Sequence, residues 1–462
     1  MRRKIIASIV LGLLLASAGF YLIDLGKRPF DDYDEAIYAQ VVREMLQNKN
    51  YLTLTYFDQT WFEKPPLQFW LMAISAEVFG LNEFSVRLPS ALFGVTAVVL
   101  TFLIILHLTK NIWLSIFGGL AVLGMPLFLA AARHARMDVP VTSAILSAFY
   151  FYLLGLKNPK FLISVAPCVA IGILLKSVIG LLAIPIIVIW SFYTKQWGWF
   201  KNRYFWIGAI IALLIVAPWH IYEIAKFGGA FWNDYFGYHI LQRAAQNVLN
   251  SGISLPYFFW VTWKYLQPWS GIFIPAVLAT GFVWIKSRSQ RKTLELASLL
   301  SAILFIFFIF AVSKTKLLTY FTPLYPLLAV FFAILAERFW RVSAKWVLLF
   351  LVLIGLWGSA REAFVSQKIY HLDYSFDEKN IGLLLNGSSG ADAAFTFQWD
   401  HHNSLRYYSQ REIQPLQFNS SNQPDPPFWL ILPTELLEEN PDLKNMTTPF
   451  SGQYLTLVRF KP

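Results

Sequence analysis

Apolar runs of close to twenty residues recur along the first 360 positions of this chain, and that pattern decides most of what it can become. An α-helix needs about 20 mainly apolar residues to cross a bilayer. Such runs lie near 5–23, 88–106, 112–131, 139–156, 161–175, 178–193, 204–219, 256–284, 294–312, 319–336 and 346–360, about eleven in all. The pair 161–175 and 178–193 reads as two helices with a tight turn at Lys176–Ser177. The run 256–284 is broken by Pro268 and Pro275 and predicts an interfacial piece ahead of its span. Only 14% of residues are charged, against roughly 25% in a soluble chain. That excludes a single ordinary globular enzyme and a disordered chain. The one cysteine, Cys168, excludes an intramolecular disulfide and a cysteine metal cluster.

The net charge of +11 reads as topology rather than nucleic-acid binding. With the N-terminus inside, the inner loops hold Lys110; Lys157 and Lys160; Lys195, Lys201 and Arg203; Lys286, Arg288, Arg291 and Lys292; Arg338, Arg341 and Lys345. The opening Met1-Arg2-Arg3-Lys4 and Ala16-Ser17-Ala18 have the look of a signal peptide. The apolar run continues to Ile23, so an uncleaved anchor is the expectation. An odd number of spans places the tail outside the cytoplasmic membrane. The predicted organisation is a transmembrane domain over 1–360, with a long first outer loop 24–87, and a small soluble α/β domain over 361–462. In the tail, Ala394–Trp399, Phe428–Leu432 and Tyr454–Phe460 read as strands, and Asn403–Ser409 and Thr434–Asn440 as short helices.

The outer face carries the chemistry. The first outer loop opens with Asp31-Asp32-Tyr33-Asp34-Glu35 and continues as an amphipathic helix with Ile37, Val41 and Met45 on one face. Asp31 or Asp32 is expected to cap it, with Asp34 and Glu35 in the first turn, where the helix dipole favours an anion. Asp34 thus suits a base or a metal ligand; the plainer alternative is that all four acids cap and solvate a helix. Glu63-Lys64 follows between aromatic residues, and Pro65-Pro66 stiffen the backbone after it. Arg133, His134, Arg136, Lys176, His239, Arg243, Lys314 and Lys316 all fall on the side where the positive-inside bias disfavours cations. An anionic ligand offsets that arrangement, although each alone could snorkel to lipid headgroups. His401 and His402 read as ordinary surface residues.

Sugar transfer from a polyprenyl phosphate calls for this mixture. The leaving phosphate needs cations, and the attacking hydroxyl needs one carboxylate base. A glycoside hydrolase instead needs two carboxylates flanking the bond. A solute or ion transporter would carry ionisable residues at mid-membrane, yet 112–131, 139–156, 178–193 and 204–219 contain no Asp, Glu, Lys or Arg. A transporter or flippase for a lipid-linked or anionic solute is the alternative reading.

Four stretches carry a resemblance: Asp34-Glu35-Ala36-Ile37-Tyr38-Ala39, Phe62-Glu63-Lys64-Pro65-Pro66-Leu67, Ala135-Arg136-Met137-Asp138, and Ser313-Lys314-Thr315-Lys316-Leu317-Leu318-Thr319-Tyr320-Phe321-Thr322-Pro323. In order and topology they resemble the GT-C class of membrane glycosyltransferases. More narrowly, they resemble the protein O-mannosyltransferase and 4-amino-4-deoxy-L-arabinose lipid A transferase superfamily. The resemblance implies an all-α polytopic GT-C membrane domain with amphipathic helices in the first outer loop. It implies a polyprenyl-phosphate sugar donor, undecaprenyl in a bacterium, transfer with inversion, and lipid A, a protein hydroxyl or another glycan as acceptor. By resemblance Asp34 is the acid at the reaction centre, with Glu35 beside it and Asp138 a second acid nearby. Lys64 and Tyr320 hold the donor phosphate, with Arg243, Arg136 and Lys316 as further cations. Glu63 and His239 resemble positions that hold a divalent metal ion. Leu318 stands where the family usually has proline.

Overall fold

Helix boundaries in this chain follow its asparagines. Asn82 caps α4 (Glu83–Thr109) through a reciprocal capping box with Ser85, and Asn111 accepts from the amides of Trp113 and Leu114 to start α5 (Ile112–Leu123). Asn202 does the same for α10 (Arg203–Phe227). The computed structural model describes residues 2–246, 254–266, 269–314, 317–338, 342–360, 374–388, 392–397, 402–416, 424, 426–439 and 446–460. The remaining named helices of the first half are α1 (Arg2–Leu22), α2 (Asp34–Asn48), α3 (Leu67–Phe79), α6 (Pro126–Arg133), α7 (Asp138–Gly155), α8 (Val165–Lys176) and α9 (Ala183–Thr194).

Among the described residues seven helices are long and apolar enough to cross a membrane, or eight when the α5–α6 pair, bent by 63°, counts as one span. The chain is a multi-pass membrane protein. Its sequence runs do not map one-to-one onto helices, and three places account for much of the difference. Run 256–284 divides into Leu255–Tyr265 and Ser270–Ser287. Run 319–336 becomes a 3-10 turn followed by a buried 15-residue helix, Leu324–Arg338. The stretch Pro159–Thr194 forms one apolar element of 36 residues, yet the chain doubles back inside it at Lys176–Ser177. There a β-carbon on Gly180 would stand 2.2 Å from the Gly172 carbonyl carbon, so only glycine permits the two arms to meet.

The membrane core gathers α1, α4, α5, α7 and α9 around Tyr21, Phe128, Phe149, Tyr152 and Trp190. Helix α10 packs mainly on α8 and presents Leu213 and Leu214 outward, as a lipid-facing helix does.

The long loop 24–87, expected on the outer side, is folded rather than loose. Strands β1 (Thr55–Tyr56) and β2 (Gln59–Thr60) make a hairpin whose turn residues Phe57 and Asp58 both have positive φ. Glu44 of α2 accepts from both of their amides and from the Thr55 hydroxyl, which offsets that backbone cost. Helix α2 is buried almost all round, not on the Ile37–Val41–Met45 stripe alone. The second cover comes from the tail.

Residues 375–460 form a five-stranded sheet in the order β4-β3-β5-β7-β6, built from β3 (Ala393–Phe397), β4 (Ile413–Leu416), β5 (Phe428–Pro433), β6 (Thr447–Ser451) and β7 (Leu455–Phe460). β3 runs parallel to both β4 and β5; β7 runs antiparallel to β5 and β6. Helices Ser375–Gly387, Asn403–Ser409 and Thr434–Glu439 complete it. Helix Asn403–Ser409 docks on the loop 24–87. Tyr408 Oη donates to Glu83 Oε1 (2.7 Å) and accepts from the Phe30 amide (2.9 Å). The Ser404 amide donates to Asp32 Oδ1 (3.0 Å), and Arg43 lies over the Tyr407 ring while donating to its carbonyl (2.7 Å). His402, expected on the surface, is buried beside this contact because the docked helix begins there; His401 lies outside the described residues.

Candidate active site

Two charged clusters lie close together at one end of the helices, near enough that Tyr320 senses the acids of both. The first surrounds the start of α2. Tyr33 occupies the cap position and makes no capping side-chain hydrogen bond, so neither Asp31 nor Asp32 caps the helix as expected. The direction is reversed: Glu35 Oε2 accepts from the Asp31 amide (3.1 Å), pinning the turn from inside.

Glu35, expected to be catalytic, is fully buried and cannot reach a substrate. Its carboxylate takes two bonds from the Arg87 guanidinium (2.9 and 2.6 Å) and one from the Ala135 amide (2.6 Å). Arg87 spends its remaining donors on the carbonyls of Leu25, Arg28 and Pro29. Burial opposes charge on Glu35, but Arg87 outweighs it and holds the carboxyl below its usual range. Glu35 is therefore a clamp. It fixes its neighbour Asp34 and, through Ala135, the neighbouring Arg136.

Asp34 is left partly open, 39% exposed, in the first turn of α2, with Arg136 Nε 3.8 Å from its Oδ2. Arg136, expected among the phosphate cations, thus pairs with the acid and does not line the cavity described below. Beside them His134 Nε2 lies 3.0 Å from Asp31 Oδ2, and its Nδ1 lies 2.6 Å from the Ala130 carbonyl. Both partners are acceptors, so the ring is satisfied only with both nitrogens protonated. Burial opposes this, but Asp31 and Glu35 outweigh it and raise the His134 pKa. That pair's stabilisation is complete below the ordinary histidine pKa of about 6.5 and is lost as pH rises through the higher folded value. Thermal unfolding of the wild-type protein is expected to shift downward as pH rises above about 6.5, and His134→Gln removes that slope. Arg133, the other wrong-side cation here, caps α1 by donating to the Phe20 and Ile23 carbonyls (2.8 and 2.9 Å).

The second cluster lines a cavity of about 470 Å³. Its polar wall holds Glu63, Lys64, Lys176, His239, Arg243 and Tyr320; its apolar wall comes from Phe308, Ile309 and Val312 of helix Arg291–Val312. Glu63 Oε1 accepts from Lys64 Nζ (2.5 Å) and Arg243 Nη1 (2.9 Å). Burial would raise the Glu63 carboxyl, but Lys64, Arg243 and His239 hold it at about 2. A π-helix over Trp232–Gln242 carries His239, and Arg243 follows at its end, so both side chains face Glu63. Such irregular turns collect at functional sites. Burial lowers the His239 pKa to about 4, helped by Lys64 and Arg243 and opposed by Glu63, so the ring is neutral. Burial pushes the Tyr320 hydroxyl up to about 12; Arg243 opposes this, while Asp138, Asp34 and Glu63 add to it. Tyr320 is therefore a neutral hydrogen-bond donor whose field includes the acids of both clusters.

Asp138, the other expected acid, is paired with Lys176 (2.5 Å) rather than open to an acceptor. Lys176 was legible only as a wrong-side cation, and its turn gave no further sign. Lys316 lies outside the described residues.

The expected metal ligands are adjacent, with His239 Nδ1 4.0 Å from Glu63 Oε1 and lacking a hydrogen-bond partner. Lys64 and Arg243 already hold that same oxygen, so a divalent cation at this pair would take His239 Nδ1 and the other Glu63 oxygen, beside two positive charges. The set Asp31, Glu35 and His134 has ligand atoms within 4.8 Å of one another, but Arg87 and Arg28 already neutralise it.

The sequence profile described as dolichyl-phosphate-mannose-protein mannosyltransferase matches residues 63–222. The undecaprenyl phosphate-alpha-4-amino-4-deoxy-L-arabinose arabinosyl transferase of Shewanella sediminis (strain HAW-EB3) is 31% identical over 345 residues, 68% of this chain and 57% of that protein. The Enterobacter sp. (strain 638) protein of the same name is 28% identical over 335 residues, 70% of this chain and 58% of its own length. The crystal structure of ArnT from Cupriavidus metallidurans bound to undecaprenyl phosphate superposes with a TM-score of 0.73 at 19% identity, covering 97% of both chains. The chain belongs to the GT-C glycosyltransferase superfamily. The GT-C fold also relates it to the Archaeoglobus fulgidus oligosaccharyltransferase in complex with Zn and sulfate, with a TM-score of 0.59 at 13% identity over 93% of this chain and 68% of that one. Against the curated GT-C relatives, the match spans about three-fifths of their length.

Proposed function

We propose that the chain is a glycosyltransferase of the cytoplasmic membrane that moves a sugar from a polyprenyl phosphate, of the undecaprenyl kind, to an acceptor at the outer face. The curated relatives favour an aminopentose as the sugar and lipid A as the acceptor. The observation that carries the reading is the pairing of a cationic, lipid-walled cavity with a separate open carboxylate. Lys64, Arg243 and the Tyr320 hydroxyl surround space for one phosphate. The apolar side chains of helix Arg291–Val312 give the prenyl chain a route into the bilayer. Asp34, outside that wall, is free to take the acceptor's proton.

The acceptor oxygen attacks the anomeric carbon from the face opposite the phosphate, and the configuration inverts. The bond from the anomeric carbon to the phosphate oxygen breaks, and its electron pair stays on phosphate, where the cations stabilise it. The acceptor proton passes to Asp34. Arg136 steadies the Asp34 carboxylate. No step passes through a metal. The orientation that puts both clusters outside has the N-terminus in the cytoplasm and residues 375–460 outside, in keeping with the lysines and arginines of the opposite loops.

Mass spectrometry of envelope lipids from cells with and without the chain tests this reading: loss of one sugar from one acceptor supports it, and unchanged glycans with a missing transported solute reject it. At the cavity, Lys64→Ala removes a charge-assisted contact and is expected to weaken donor binding about 10- to 100-fold with little change in acceptor affinity, measured by titration of each substrate.

A further inference from the structure

The cavity holds one cation that the reaction as written leaves idle. Lys176 ends α8, and its Nζ lies 2.5 Å from Asp138 Oδ1 and 5.3 Å from the centre of the Tyr320 ring. Both partners are largely buried, Lys176 at 14% exposure and Asp138 at 6%. The next residue, Ser177, has φ +48° and ψ −135°, a conformation that costs a residue bearing a β-carbon. That strain sits at the turn which aims Lys176 into the cavity.

Among the described residues that line the cavity or pair with its lining, Lys64, Lys176 and Arg243 carry three positive formal charges, and Glu63, Asp138 and the more exposed Asp234 carry three negative ones, so each cation at rest already has a counter-ion. A departing phosphate monoester carries about 1.5 to 2 negative charges near neutral pH, so charge appears that the resting cavity does not match.

We propose that Asp138 stores Lys176 and yields it to the phosphate as the sugar bond breaks, acting as an exchangeable counter-ion and not as an acid or base. This rests on the polyprenyl-phosphate reading of the cavity. While the acceptor oxygen bonds to the anomeric carbon and its proton goes to Asp34, the phosphate oxygen gains the electron pair of the broken bond. Lys176 then moves its ammonium group from Asp138 to that oxygen, and Asp138 exchanges no proton. When the spent phosphate leaves, Asp138 reclaims the lysine, which weakens product binding and frees the cavity.

Binding of undecaprenyl phosphate to the full-length protein in detergent, read by native mass spectrometry, tests the exchange. Asp138→Asn is expected to tighten binding about tenfold, and Lys176→Met to weaken it about tenfold. Lys176→Arg keeps wild-type affinity, and the double variant Asp138→Asn with Lys176→Met binds like Lys176→Met alone. In turnover assays Asp138→Asn is inhibited by added undecaprenyl phosphate at lower concentrations than wild type. Equal or weaker binding by folded Asp138→Asn, or wild-type binding by Lys176→Met, overturns the counter-ion role alone. Should Asp138→Asn not fold, the contrast between Lys176→Met and Lys176→Arg decides. Wild-type protein that binds no undecaprenyl phosphate overturns the donor reading and this proposal together.

Discussion

Asp34→Asn lowers turnover by about two to four orders of magnitude, the usual contribution of a positioned general base, while donor affinity stays at the wild-type level. The separation follows from the geometry. Asp34 stands in the α2 cluster beside Arg136, whereas Lys64, Arg243 and Tyr320 wall the donor cavity. Asparagine keeps the size and polarity of the side chain, and Glu35 continues to hold the turn, so the folded population is unaffected. Single-turnover transfer and donor titration on the same preparation measure the two quantities. Wild-type turnover by Asp34→Asn would remove that carboxylate from the mechanism.

Its neighbour behaves in the opposite way. Glu35→Ala and Arg87→Ala are each expected to cost about 3–5 kcal/mol of stability, because each leaves the other charge buried without its partner. Arg87 would retain three carbonyl contacts but no anion, and Glu35 would retain two amides but no cation. The double variant loses less than the sum of the two, since neither charge is then stranded. Thermal unfolding in lipid nanodiscs measures the cycle. Two adjacent acids in one motif therefore divide: one change silences chemistry in an intact protein, the other depletes the folded protein.

Hydropathy made much of the membrane domain legible, since lipid imposes the same apolar requirement on every span. Helix Asn403–Ser409 was read with its observed limits, because polar residues fence a short periodic segment. Strand β5 was plain as an unbroken apolar run, as a strand buried on both faces must be. Strand β4 and helix Ser375–Gly387 were not read, since Pro415 and the acids Asp377 and Glu378 mask their apolar positions. At the site, charge and position brought out Asp34, Lys64 and Arg243 as residue types suited to the chemistry, whereas Tyr320 entered through the family resemblance alone. Charge and position could not say which acids were spoken for. Glu35 and Asp138 look as available as Asp34 until Arg87 and Lys176 arrive from 52 and 38 residues away. Pairing is a property of packing, and no local spacing announces it.

The docked helix Asn403–Ser409 has a consequence for how such chains can diverge. Its Ser404 amide and Tyr408 hydroxyl reach the backbone and side chains of Phe30, Asp32 and Glu83, immediately before and behind the turn that displays Asp34. Substitutions in the C-terminal sheet unit and in the loop 24–87 thus share one inheritance: a graft of either from a cousin must bring the matching half of this handshake with it.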